Sequence, residues 1–243
     1  EFTTVTDAKF VGLKNYLRVF SDPTFMHALW FTALFTIVSV LTINVSAFVI
    51  AMLLTKGIKG TNFFRTVFFM PNLIGGIVLG YIWQILLNGI LGHFGRTLTY
   101  SSSYGFWGLI ILMNWQQIGY MMIIYIAGIQ NIPGELIEAA KIDGATNRQL
   151  LRHVTIPMVM PSITICTFLT LTNSFKLFDQ NLALTAGEPS NSSQMLALNI
   201  YETFYTRTGW EGAGQAKAVV FFIIVAVIAM LQNRLTRSKE VQQ

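Results

Sequence analysis

Between Ala28 and Leu54 the sequence carries no charged side chain. That run exceeds the roughly 20 apolar residues with which an α-helix crosses a bilayer. Inside lipid the backbone must satisfy its own amides, which leaves only helices and closed barrels as spanning structures. Apolar stretches of similar length recur along the chain, and charged residues make up 11% of it, against about 25% in soluble domains. The expected fold is all-α: a polytopic transmembrane helical bundle, with residues 1–243 forming a single membrane domain. The net charge of +5 is spread between the apolar runs, which fits membrane topology and gives no patch for nucleic acid. Cys166 is the only cysteine and lies within a run, and His27, His93 and His153 are scattered, so neither a disulfide framework nor a metal site is expected.

In chain order, residues 1–26 are moderately polar, with Phe10, Leu13, Leu17 and Phe20 at helical spacing. They read either as an external amphipathic segment on the membrane surface or as a helix packed on its neighbours. Asp22 and Pro23 form a helix start, as N-cap and first helical residue. Span one is Ala28–Leu54, and span two runs from about Thr66 to Leu87. Pro71 either kinks span two or ends a short interfacial piece before it. Span three covers roughly Tyr104–Ile132, span four runs from near Ile156 to about Phe178 with Pro157 and Pro161 in its first turns, and span five is Ala218–Asn233. Residues 89–103 and 183–215 read as surface loops. Span five is short, and Lys217 is expected to lengthen it by snorkelling to the interface.

Basic residues orient the bundle. Lys56, Lys59, Arg65, Lys141, Arg148, Arg152, Arg234, Arg237 and Lys239 fall on one side; Lys9, Lys14, Arg18, Arg96 and Arg207 fall on the other. Nine against five puts the first set, with the C-terminus, in the cytoplasm. Five spans then leave the N-terminus outside, so a sixth span is expected upstream of residue 1.

The segment 134–157 is a polar island between spans three and four, with Glu135, Glu138, Lys141, Asp143, Arg148 and Arg152. Pro133 and Gly134 end span three. A short helix follows, with Glu138 and Lys141 as an i, i+3 pair. Gly144 stops that helix at a position suited to positive φ, and Thr146 with Gln149 forms a capping box that starts a second one. The expected result is a two-helix bracket at the cytoplasmic face.

Glu138-Ala139-Ala140, Asp143-Gly144-Ala145, Val154-Thr155-Ile156-Pro157 and Pro161 stand at spacings that resemble the EAA loop of binding-protein-dependent ABC importer permeases. Phe10–Tyr16, Asp22–Phe25, Phe64-Arg65 with Met70-Pro71, and Phe178-Asp179 leading to Leu184–Pro189 resemble the carbohydrate-importing branch. Ala186 and Glu188 stand where that branch usually has glycines. The resemblance implies a multi-pass permease of the bacterial plasma membrane. It implies that Glu138, Ala139, Ala140, Asp143, Gly144 and Pro157 form a coupling helix against an ATPase. It also implies partners: a second similar permease in a heterodimer, two copies of a cytoplasmic ATP-binding subunit, and an external solute-binding protein that delivers a carbohydrate near Arg96 and Arg207. ATP and Mg would be bound by the ATPase subunits, with no cofactor in this chain. The sugar stays open among maltose-like glucans, galactosides, glycan fragments and glycerol phosphates.

Within the spans, Gln116, Gln117 and Tyr120 and, farther on, Asn173, Ser174 and Lys176 are candidates for the substrate path, with Trp115 as a further aromatic surface. The placement on these two helices is what the resemblance implies. Interhelical hydrogen bonding is the competing reading. Lys176 either pairs with Asp179 or faces an acidic solute. No catalytic triad, paired carboxylate or phosphate-binding glycine loop occurs. A secondary transporter or channel working without an ATPase is the rival class, and it would need ionisable residues within the membrane for ion coupling.

Overall fold

The computed structural model describes residues 10–237; residues 1–9 with Lys9, and Lys239 in the tail, lie outside the described residues. All regular elements among the described residues are helical. In order they are α1 (Lys14–Phe20), α2 (Pro23–Leu54), α3 (Thr61–Phe69), α4 (Gly76–Gly92), α5 (Ser102–Gln130), α6 (Gly134–Ile142), α7 (Asn147–Leu150), α8 (Ile156–Met158), α9 (Met160–Phe175), α10 (Asp179–Leu184), α11 (Leu196–Tyr205) and α12 (Glu211–Arg237). By length and apolarity α2, α5 and α12 can each cross a membrane, and two bent helix pairs raise the total to as many as five spans.

The breaks follow from proline. Pro71 is buried in a 3-10 turn, Met70–Leu73, that ends the nine-residue α3; Gly75 then caps α4 in an extended conformation. Of the two readings of Pro71, the short piece before the main helix is the one adopted. Pro157 has no N–H for the carbonyl of His153, and the turn before it widens to a π-turn, Leu151–Thr155, in which the Ile156 N–H reaches the Leu151 carbonyl. Pro161 likewise leaves the Pro157 carbonyl without its helical partner. There α7–α8 and α9 meet at a bend of 68°. Pro157 therefore lies before the bend, and not in the first turn of the long helix as expected; α9 begins at Met160.

The described chain divides into two compact units. The first takes residues up to Val38, Ile74–Met113 and Thr172–Ile228; the second takes Ser39–Leu73, Asn114–Leu171 and the chain from Ala229. In the first unit Val19, Phe25, Ala28, Leu196, Ala216 and Val220 pack into one cluster joining α1, α2, α11 and α12. Gly80 lets α4 and α10 meet, since a Cβ there would stand 2.6 Å from the Ala183 Cβ. Asn181, fully buried on α10, donates to the Ser193 carbonyl (2.9 Å) and accepts from the Met195 N–H (2.9 Å), tying down the turn between α10 and α11. In the second unit Asn44 accepts from Tyr125 Oη (2.8 Å) and donates to Thr170 Oγ1 (3.2 Å), stitching α2, α5 and α9 together.

Two expectations for the C-terminal third are corrected. Residues 183–215 are not a plain loop, because they contain α11, whose Leu196, Leu198, Asn199 and Thr203 are buried. Lys217 does not snorkel. The last helix begins at Glu211, so Lys217 lies inside it with 0% exposure, and its ammonium donates to Asp22 Oδ2 (2.7 Å), Asn199 Oδ1 (2.9 Å) and Thr203 Oγ1 (2.9 Å). Three acceptors match the three N–H bonds of an ammonium. Asp22 also fills its expected capping role, with Oδ1 accepting from the Thr24 N–H (3.0 Å) and hydroxyl (2.8 Å).

Burial by itself would raise the Asp22 carboxyl, but the hydrogen bonds from Lys217 and Thr24 and the Lys217 charge outweigh it and hold the group below its ordinary value of 3.8. A depressed folded-state value means that the pair's contribution is fully present above pH 3.8 and is lost as pH falls through the lower value. Lys217→Met leaves a buried carboxylate unpaired and is expected to destabilise the protein by about 3–5 kcal/mol. The double variant Asp22→Asn/Lys217→Met should recover most of that loss. Thermal unfolding of the detergent-solubilised protein checks both, and a double variant no more stable than the single one counts against the pairing.

Candidate coupling bracket and translocation path

The island forms the expected bracket from local signals. Helix α6 ends in a Schellman motif: the Gly144 N–H bonds the Lys141 carbonyl (3.0 Å) and the Ala145 N–H bonds the Ala140 carbonyl (2.9 Å). Gly144 takes φ +77°, the left-handed conformation the motif requires. Thr146 then caps α7, where its N–H donates to Gln149 Oε1 (2.8 Å) and its Oγ1 accepts from the Gln149 N–H (3.4 Å), completing the capping box. Ala140, Asp143, Gly144, Leu150 and Val154 line an open depression of about 280 Å³ between the two short helices.

No residue of α6 is buried. Leu136 is 43% and Ile142 86% exposed, large apolar groups left uncovered on a polar loop. The pair expected between Glu138 and Lys141 is not formed; both are exposed, and among the described residues the Glu138 carboxylate has neither a hydrogen bond nor an ion pair. Ala139 is exposed beside it, and Pro157 is half-buried on α8. The bracket thus presents an unpaired carboxylate and apolar side chains on a rigid, doubly capped frame.

Residues 19–241 match the family described as the binding-protein-dependent transport system inner membrane component. This chain belongs to that family. The permease is 45% identical to the probable starch degradation products transport system permease protein AmyD of Thermoanaerobacterium thermosulfurigenes, over 100% of this chain and 85% of that one. It is 32% identical to the multiple sugar-binding transport system permease protein MsmF of Streptococcus mutans, over 96% and 83% of the respective chains. Its fold is that of a solved bacterial ABC transporter involved in the import of the acidic polysaccharide alginate, with a TM-score of 0.81, 20% identity and coverage of 96% of this chain and 85% of that one. It is a multi-pass component of the bacterial inner membrane.

The path candidates fall in different units. Gln116, Gln117 and Tyr120 on α5 belong to the second; Asn173, Ser174 and Lys176 belong to the first. Gln116 and Gln117 are 6% and 8% exposed, whereas Trp115 is 44% exposed. The Tyr120 ring lies against Phe69, with centroids 6.4 Å apart. Ser174 is fully buried and its hydroxyl has no hydrogen-bond partner among the described residues. Lys176 and Asp179 are both exposed and do not pair.

Sequence reasoning missed Gly119, one residue before Tyr120. A Cβ there would overlap the carbonyl of Phe68, so α5 and the end of α3 meet backbone to backbone. Of the two arginines expected on the external side, Arg96 donates to the Tyr104 hydroxyl and lies over the Tyr100 ring at 5.2 Å, while Arg207 lies over Trp210 at 5.5 Å.

Gly144→Ala forces a β-carbon into the left-handed region at about 1–2 kcal/mol, and Thr146→Ala removes a cap worth about 0.5–2 kcal/mol. Both variants are expected to reach the membrane and to loosen the bracket. Faster amide hydrogen exchange over residues 140–150, with exchange in α5 unchanged, is the expected readout.

Proposed function

We propose that this permease forms the membrane path of an ATP-driven importer of a sugar or oligosaccharide and takes its motive force through the α6–α7 bracket. The observation that carries this reading is the exposed, doubly capped bracket, with the unpaired Glu138 carboxylate midway along α6. Glu138, Ala139, Ala140, Asp143 and Gly144 would seat in a cleft of a cytoplasmic ATPase subunit. Leu136 and Ile142 supply the apolar surface such a seat covers.

ATP and Mg would be held by two copies of that ATPase subunit, whose closure on ATP moves the bracket. An external solute-binding protein would deliver the carbohydrate to loops such as that of Arg96, and a second, similar permease would complete the path. The names of the AmyD and MsmF relatives, which refer to starch degradation products and multiple sugars, support carbohydrate as the solute. A solved relative of the same fold is an alginate ABC transporter in complex with a pentasaccharide-bound periplasmic protein, which supports delivery by a binding protein. Within the path, the unsatisfied Ser174 hydroxyl suits a ligand hydroxyl, because a buried donor left unmade costs about 1–3 kcal/mol that a sugar can return.

Glu138→Lys reverses the charge at the bracket and is expected to abolish ATP-driven uptake into membrane vesicles, with the protein still inserted and assembled. Undiminished uptake would sink the coupling role. Ser174→Ala is expected to lower uptake several-fold for the transported sugar while leaving the ATPase activity of the assembled complex intact.

A further inference from the structure

Helix α1 and the turn that opens α12 form a basic and aromatic patch that the coupling reading does not use. The Arg18 guanidinium stacks on the Trp210 ring, 3.4 Å from its centroid, and Arg207 lies 5.5 Å from the same ring. Among the described residues neither guanidinium donates a hydrogen bond or joins an ion pair. Nearby acids are committed elsewhere: Asp22 to Lys217, Glu202 to the Gln194 amide (2.6 Å) and Glu211 to the Gly209 N–H (3.2 Å). A guanidinium stacked by its face keeps its in-plane donors open for a bidentate oxyanion.

What sits beside the patch decides the occupant. Val19 is buried against the core and Tyr16 packs on it, so one face of α1 is taken. The adjoining face shows Leu13, Leu17 and Phe20, 72%, 70% and 58% exposed, at i, i+4 and i+7. Only Ser21 and Asp22 separate α1 from the membrane-crossing α2. A linker of that length reaches about 10 Å, so α1 is held at the level where lipid headgroups begin. An apolar stripe flanked by arginine, with a tryptophan at the same level, is the pattern of a helix lying in the bilayer interface.

We propose that Arg18, Trp210 and Arg207 form a binding site for the phosphate of an anionic phospholipid, with Leu13, Leu17 and Phe20 against its acyl chains. This assigns Arg207 to lipid and not to solute delivery. The site rests on the membrane placement of the chain and is independent of the bracket, so neither uptake nor Glu138 enters its test.

The test uses the assembled transporter with phosphatidylglycerol as probe and phosphatidylcholine as control. Lipid retained by the purified complex is measured by native mass spectrometry. Arg18→Gln/Arg207→Gln is expected to lower phosphatidylglycerol retention on the order of tenfold, with phosphatidylcholine retention unchanged. Leu17→Asn/Phe20→Asn should lower retention of both lipids. Equal melting temperatures of wild type and variants in phosphatidylcholine nanodiscs establish that the fold persists, and Arg18→Gln alone, the milder change, is read where the double variant does not match. Unchanged phosphatidylglycerol retention in the arginine variant overturns the proposal. So does a loss of binding-protein-stimulated ATP hydrolysis in pure phosphatidylcholine with phosphatidylglycerol retention intact, which would give the patch to an acidic protein surface.

Discussion

Lys217 is a positive charge with no exposed surface, and the first unit is arranged around compensating it. An ammonium taken out of water is tolerated only when charge and hydrogen bonds replace its hydration shell. Here the carboxylate comes from the residue that caps α2, and the two neutral acceptors come from α11. The cap, the intervening helix and the last span are therefore fixed by one atom. The apolar cluster of Val19, Phe25, Ala28, Leu196, Ala216 and Val220 joins the same elements. Because the charge is fully paired, it does not supply the free ionisable group that an ion-coupled transporter needs.

The second unit handles polarity differently. Its spans hold neutral groups, and Asn44, Tyr125 and Thr170 satisfy one another across three helices. Its charges lie on the bracket, at Lys56, Lys59 and Arg65 and near the end of α12, and the exposed α6 and α7 depend on their own caps for shape. A frame built from a Schellman turn and a capping box holds its form without a core. That suits a segment whose apolar side chains have no core to cover them.

Legibility in the sequence tracked the range of the interaction concerned. The bracket was readable because Gly144, Thr146 and Gln149 act within a few residues, as did the Asp22–Pro23 helix start. Lys217 was misread because its carboxylate lies 195 residues away in the chain. As a lone charge near the start of an apolar run it looked like a helix-end residue, and only the fold shows the helix beginning earlier at Glu211. Helix α11 was hidden by the Gly, Pro and Ser residues before it. The pairs expected between Glu138 and Lys141 and between Lys176 and Asp179 had suitable spacing, but exposed side chains gain little from holding one geometry. Gln116, Gln117 and Ser174 are buried polar groups within apolar runs, whereas the crowding at Gly119 had no signature beyond the glycine itself.

Where α5 crosses the end of α3, no side chain cushions the meeting. Side chains yield by changing rotamer, but peptide planes in direct contact have no such freedom, and dense interiors pass strain along. The crossing behaves as a rigid bearing: a shift of α5 at that level must displace the Phe68 peptide by the same amount. Only residues 131–133 separate α5 from α6, so the bracket and the posture of the chain at Phe68 hang on the same helix.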